Sequence, residues 1–175
     1  AGQAALTTAV RDEAGVSAGA RWIIAEGADA GAMNMSIPLD KMRHDCMIGL
    51  YQNGERLRPD PVSRCQPQGV HGVSRVVDPA SYGWQDASWG GLPIQHYILY
   101  ELHTGTFTPQ GTYAAVRSRL PYLRDLGVTA VELMPVAEFP GERNWGYDGV
   151  HLFAPQSSYG SPDDLRALID TCHRE

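Results

Sequence analysis

The chain has 175 residues, 43% of them hydrophobic, enough for one domain or a small domain with part of a second, and this excludes a disordered tail. Its net charge is −6, with acidic and basic residues interspersed and no run of Lys or Arg, which argues against nucleic acid or an anionic membrane surface as the main partner. Cys46, Cys65 and Cys172 are odd in number and lack C-x-x-C spacing, so reduced thiols in a cytoplasmic protein are expected, with neither a disulfide framework nor a zinc site.

No apolar run approaches the ~20 residues that cross a membrane. The opening AGQAALTTAVRDEAG has no charged segment followed by an apolar core, so no signal peptide is expected. The chain lacks an initiator Met and stops in mid-pattern at His173-Arg174-Glu175, and it reads as a piece of something longer.

Ala and Gly dominate residues 1–45, where segments 21–26 (RWIIAE) and 35–39 are the strand candidates, the first also readable as a short helix. Residues 47–51 form a strand entering Gln52-Asn53-Gly54-Glu55, and Asn-Gly is a strong hairpin signal. The expectation for residues 1–57 is a small β-sandwich. Residues 58–95 form a connector punctuated by Pro59, Pro61, Pro67, Pro79 and Pro93. Such length is unusual in a compact domain. Val73, Val76, Val77, Tyr82, Trp84 and Trp89 offer apolar anchors for an ordered strap.

From residue 96 the pattern turns regular. Residues 97–102 (YILYEL) predict a strand. Thr112 can cap a helix whose stripe is Val116, Leu120 and Leu123, with Gly127 as its left-handed stop. Pro121 lacks an N–H and should kink or restart that helix. Residues 128–134 predict the next strand, closed by Pro135. Ser161-Pro162-Asp163-Asp164 then opens a second helix with Leu165, Leu168, Ile169 and Cys172 on one face. Strand, helix, strand, helix implies parallel strands. The fold class expected is α/β: the first two β/α units of a (β/α)8 barrel over residues 96–175, after the small sandwich.

In such a barrel the site lies at the C-terminal ends of the strands. Asn144, Trp145, Tyr147 and Asp148 sit almost side by side in the loop after the second strand. Rings cover the apolar C–H face of a sugar, while an amide and a carboxylate take its hydroxyls. The plainer alternative has Trp145 anchoring the loop and Asp148 capping a turn. Glu101 and His103 alternate along the first strand and can share one side; His103 is read either as a substrate contact or as a hydrogen-bonded histidine of the barrel mouth. Glu132 is read as a structural acid, and Glu138 and Glu142 as solvated loop acids. Gly15-Val16-Ser17-Ala18-Gly19 matches G-x-S-x-G, but the polar Arg11-Asp12-Glu13-Ala14 before it is not strand-like, and the match reads as chance.

GVTAVELMP resembles the second-strand signature of the α-amylase family of barrel glycosidases. Within that family, YELHTGTFTPQGTY, PVAEFPGERNWGYDG, FAPQSSYG and the connector PDPVSRCQPQGVHGVSRVVDP are similar to the maltooligosyltrehalose trehalohydrolases. The similarity runs collinearly over about residues 57–175. Branching enzymes and isoamylases carry a related WGY in the same loop. Residues 1–56 lack the W-A-P segment of the family's N-terminal sandwich.

The resemblance implies a retaining mechanism with two carboxylates ~5–5.5 Å apart. It implies release of trehalose by cutting the α-1,4 bond next to the trehalose end of a maltooligosyl chain. In the family the nucleophile, the acid/base and a supporting acid come from the fourth, fifth and seventh strands, so no residue here is expected to be catalytic. Tyr147 and Asp148 are expected to line the subsite of the glucose under attack, with Trp145, Asn144 and His103 as further substrate-binding candidates. The partner implied is maltooligosyltrehalose or a related α-glucan, with no metal and no organic cofactor. The alternatives are a branching or debranching enzyme, or a non-catalytic α-glucan-binding module.

Overall fold

The computed structural model describes residues 59–175 in full and, before them, the backbone of four strands. These are β1 (Leu6–Arg11), β2 (Trp22–Ile23), β3 (Met47–Gln52) and β4 (Arg56–Arg58). With β5 (Ser74–Arg75) they form one antiparallel sheet in the order β2-β1-β3-β4, with β5 also paired to β3. Gln52 lies opposite Arg56, so β3 and β4 pair antiparallel as the arms of a hairpin, while the expected turn at Asn53-Gly54 lies outside the described residues. β2 falls inside the RWIIAE segment. The strand candidate at 35–39, Cys46 and the G-x-S-x-G match at 15–19 lie outside the described residues.

β5 comes from the connector, which is tied to the sheet through backbone pairing of Ser74 with Ile48. A buried amide, more than apolar anchoring, organises the strap. The Gln66 side chain is 1% exposed; its Oε1 accepts from Ser63 Oγ at 2.7 Å and Ser74 Oγ at 2.5 Å. Its Nε2 donates to the carbonyls of Gly69 and Gly72. Trp84 and Trp89, expected as anchors, remain about half exposed, although Trp89 stacks on His173 with ring centroids 3.7 Å apart.

β6 (Leu99–Leu102) and β7 (Ala130–Leu133) pair in parallel, from Leu99 opposite Ala130 to Leu102 opposite Leu133. Between them run α1 (Thr104–Phe107), α2 (Tyr113–Ser118) and α3 (Leu120–Asp125). Thr112 Oγ1 accepts from the Ala115 N–H and caps α2. The helix restarts as expected around Pro121, with the break at Arg119 between α2 and α3. Pro121 cannot donate to the preceding turn, and it sits instead in the first turn of α3, where an N–H has no partner to lose. Gly127 takes φ +94°, and the Val128 N–H returns to the Leu123 carbonyl, stopping α3 as the sequence suggested.

The long segment after β7 is not structureless. β8 (Ala137–Glu138) pairs antiparallel with β9 (His151–Pro155), so the loop between them is a closed excursion. α4 (Pro162–Arg174) follows, with Ser161 and Asp164 in a reciprocal capping box. It packs on α2.

The core contains Leu102, Tyr113, Val116, Leu120, Leu123, Phe139, Tyr159 and Leu168. Full burial of such side chains contributes about 1.5–3 kcal/mol each. Tyr113 is fully buried and its hydroxyl has no hydrogen-bond partner among the described residues. Burial pushes that phenol well above its ordinary pKa. Tyr113→Phe keeps the ring and deletes the unsatisfied group, so urea unfolding is expected to show unchanged stability or a gain of about 1 kcal/mol. A loss of similar size would show that the hydroxyl has a partner.

Candidate functional site

The carboxyl end of β6 delivers His103, and the carboxyl end of β7 delivers Met134 and Pro135. The loop between β8 and β9 is drawn to that rim. His103 Nε2 lies 2.7 Å from the Asn144 backbone oxygen. A carbonyl oxygen only accepts, so Nε2 carries the hydrogen. The Tyr159 hydroxyl lies 3.2 Å from the same nitrogen, and Thr106 Oγ1 lies 3.3 Å from Nδ1.

Asn144 orders the residues that follow it. Its Oδ1 accepts from the Gly146 N–H at 2.7 Å, forming an Asx turn. Its Nδ2 donates to Asp148 Oδ2, also at 2.7 Å. Gly146 is buried at φ +98°, and a β-carbon there would stand 2.1 Å from the Pro135 oxygen. The backbone therefore touches the end of β7, and its two neighbours turn outward: Trp145 is 76% exposed and Tyr147 69%.

The five candidate residues thus meet at one place on the carboxyl rim, in two kinds. Trp145, Tyr147 and Asp148 are exposed, presenting two ring faces and an oriented carboxylate. His103 and Asn144 direct polar atoms to partners inside the protein. Such an arrangement can stack on a flat apolar face and accept from hydroxyls. Glu101 and Glu132 stand directly opposite each other across β6 and β7, and both are exposed.

Glu138 departs from its reading as a solvated acid. It is 1% exposed, with Oε2 accepting from the Ser157 N–H at 2.5 Å and Oε1 from Ser157 Oγ at 3.0 Å. Burial raises its pKa above the ordinary value; the two Ser157 bonds and nearby His151 oppose that rise. Sequence reasoning gave no role to Tyr159, Thr106 or Ser157. Tyr159 alone had a visible signal, as one of the two aromatics, with Phe153, in the quoted FAPQSSYG run.

Among the described residues no three His, Cys, Asp or Glu side chains gather as a metal site, and no helix is long and apolar enough to cross a membrane.

The family model for the alpha amylase catalytic domain matches residues 64–175. A second model, the oxidoreductase molybdopterin binding domain, matches residues 5–89. The chain is similar to the malto-oligosyltrehalose trehalohydrolase of Deinococcus radiodurans, 53% identical over 66% of this chain and 19% of that protein. The Saccharolobus solfataricus enzyme of the same name is 49% identical over 66% of this chain and 20% of its own length. A 1,4-alpha-glucan branching enzyme of Vibrio parahaemolyticus is 41% identical over 70% of the chain and 18% of that protein. The chain therefore spans about a fifth of the length of these relatives. A solved structure assigned as an alpha amylase from Salmonella typhimurium superposes with TM-score 0.78 at 40% identity, over 96% of this chain and 27% of that one.

Two outcomes follow from the geometry. Gly146→Ala forces a left-handed backbone and a clash with Pro135, so a loss of about 1–3 kcal/mol is expected in denaturant unfolding; a silent substitution would mean that the loop does not rest on β7. Glu138 has a raised folded pKa, so the folded state holds its proton more tightly than the unfolded chain. Its charged form costs stability at neutral pH, and this cost is relieved as pH falls through the raised value toward the ordinary 4.5. The stability difference between the parent chain and Glu138→Gln is expected to shift in the parent's favour on acidification from pH 7; a pH-independent difference would contradict it.

Proposed function

The chain belongs to the alpha-amylase family, and from that premise we propose that it supplies the first two β/α units of a retaining α-glycosidase that hydrolyses the α-1,4 bond next to the trehalose end of maltooligosyltrehalose. The trehalohydrolase names of the relatives support the reaction. The observation that carries the reading is the exposed Trp145–Asp148 platform at the carboxyl rim of a parallel strand pair.

In this reading Tyr147 stacks on the apolar face of the glucose under attack, and Asp148 accepts from its hydroxyls. Trp145 extends the ring surface, while Asn144 and His103 complete the subsite from beneath. The nucleophile and the acid/base come from later strands of the barrel, so this chain binds and orients the sugar but does not cleave it. The hydrolysis is carried by carboxylates and needs no metal or organic cofactor. Residues 1–57 form a small β-domain, 58–95 a connector and 96–175 the barrel units, in a protein of the cytoplasm.

A branching enzyme is the second reading, favoured by the similarity to the Vibrio parahaemolyticus protein. It uses the same platform and differs in the acceptor that receives the glucosyl unit.

Maltotetraose titrated into the chain, read by nuclear magnetic resonance, is expected to shift the indole and ring signals of Trp145 and Tyr147. Tyr147→Ala should weaken binding by about 1 kcal/mol or more, and trehalose release by the chain should stay at background. Unchanged affinity in both Tyr147→Ala and Asp148→Asn would remove the subsite assignment.

A further inference from the structure

The sugar platform has no regular secondary structure of its own; Gly146 rests on the end of β7, and the side-chain hydrogen bond that ties the segment to the strands comes from one imidazole. His103 follows the last residue of β6, so its backbone is set by the parallel pair. Its Nε2 reaches 41 residues along the chain to the Asn144 carbonyl. Asn144 then sets its two neighbours through its own amide, to the Gly146 N–H and to Asp148 Oδ2. Every polar contact that orders the 144–148 segment passes through a residue that His103 holds.

The ring itself is confined on its other sides. Tyr159, 2% exposed, meets it edge-on with centroids 5.9 Å apart and places its hydroxyl 3.2 Å from Nε2. Thr106 Oγ1 faces Nδ1. A β-carbon at Gly105 would fall 2.9 Å from the Tyr159 ring and 3.0 Å from His103 Cε1, so no larger residue fits there without shifting the Tyr159 ring or the imidazole it confines. Tyr159 is in turn wedged edge-on between Tyr113 and Phe139 in the core.

We propose that His103 is the positioning residue of this platform: its Nε2–H donates to the Asn144 carbonyl and so sets Trp145, Tyr147 and Asp148, while Gly105, Thr106 and Tyr159 hold the ring in place. The assignment rests on the reading of that loop as a sugar subsite, but the latch exists without the sugar. In this role His103 acts through Asn144. A histidine suits the task because its ring nitrogen reaches past the strand end with only two rotatable bonds to fix, so little side-chain freedom is lost in ordering it.

The test uses the full chain labelled with nitrogen-15. The unaltered protein should show a slowly exchanging imidazole proton on His103 Nε2 and a protected Gly146 amide. His103→Ala should speed exchange at Gly146 and weaken maltotetraose binding about three- to tenfold, the worth of one hydrogen bond, with the thermal midpoint little changed. His103→Gln, which keeps an N–H at similar reach, should restore most of both, and Gly105→Ala should reproduce the loss with His103 intact. An imidazole without a proton on Nε2, wild-type exchange at Gly146 in His103→Ala, or a Gln variant no better than Ala would overturn the proposal. The imidazole measurement needs neither a variant nor any sugar, and the exchange measurement needs no sugar. Failure of the parent chain to bind maltotetraose therefore counts against the subsite reading, while those two measurements still decide the latch.

Discussion

Gly146 lies so close to the end of β7 that any side chain there would collide with the Pro135 carbonyl. That approach of backbone to backbone fixes where the loop between β8 and β9 can sit. Once Gly146 is down on the strand end, Trp145 and Tyr147 have no room beneath them and turn outward. The Asn144 carbonyl is then presented to His103 and its amide to Asp148. Two large aromatic side chains held in water are costly unless something covers them. The chain maintains that exposure because a glycine and an asparagine have settled the backbone first.

Irregular segments must find partners for their backbone groups, and here two buried glutamines supply them. Gln66 closes the strap by bonding two carbonyls and two hydroxyls. Gln156, 1% exposed, does the same above β8: it accepts from the Phe139 N–H and donates to the Gly141 carbonyl and Ser158 Oγ. Glu138 pairs with Ser157 beside it. An amide carries both donor and acceptor, so it can stand in for a missing strand neighbour without a buried charge. The price of using a carboxylate for the same task shows at Glu138, whose burial raises its pKa.

The α/β, TIM-barrel-type start was legible because it is written in local chemistry. Gly127, Pro121, Thr112 and the Ser161 capping box each have a mechanism that works within one turn of chain. The candidate loop was legible for a similar reason: its aromatic and polar residues are contiguous. The β8–β9 ladder was not, since β8 spans only two residues and carries no alternation to read. Burial of Glu138 was hidden for a different reason. Its partner is 19 residues away, and nothing in the spacing of Glu138 and Ser157 announces that they meet. His103 was read both ways from the sequence, because a histidine at a strand end faces a ligand or a carbonyl according to how a loop some forty residues on is folded.

The first 57 residues show how far fold and sequence similarity can part. The trehalohydrolase relatives align over about two thirds of the chain, whereas the solved amylase structure superposes over nearly all of it. The two family models overlap at residues 64–89, and β5 lies within that interval. The pairing of β5 with β3 that joins strap to sheet is made by backbone N–H and C=O groups. Almost any sequence supplies those groups, so an antiparallel sheet can be completed across the join without the side chains of the amylase family. Side-chain chemistry is demanded only further on, where Gln66, Gly105, Gly146 and His103 each fill a place that few other residues fit. The amylase family model accordingly begins at residue 64 and takes in each of these positions.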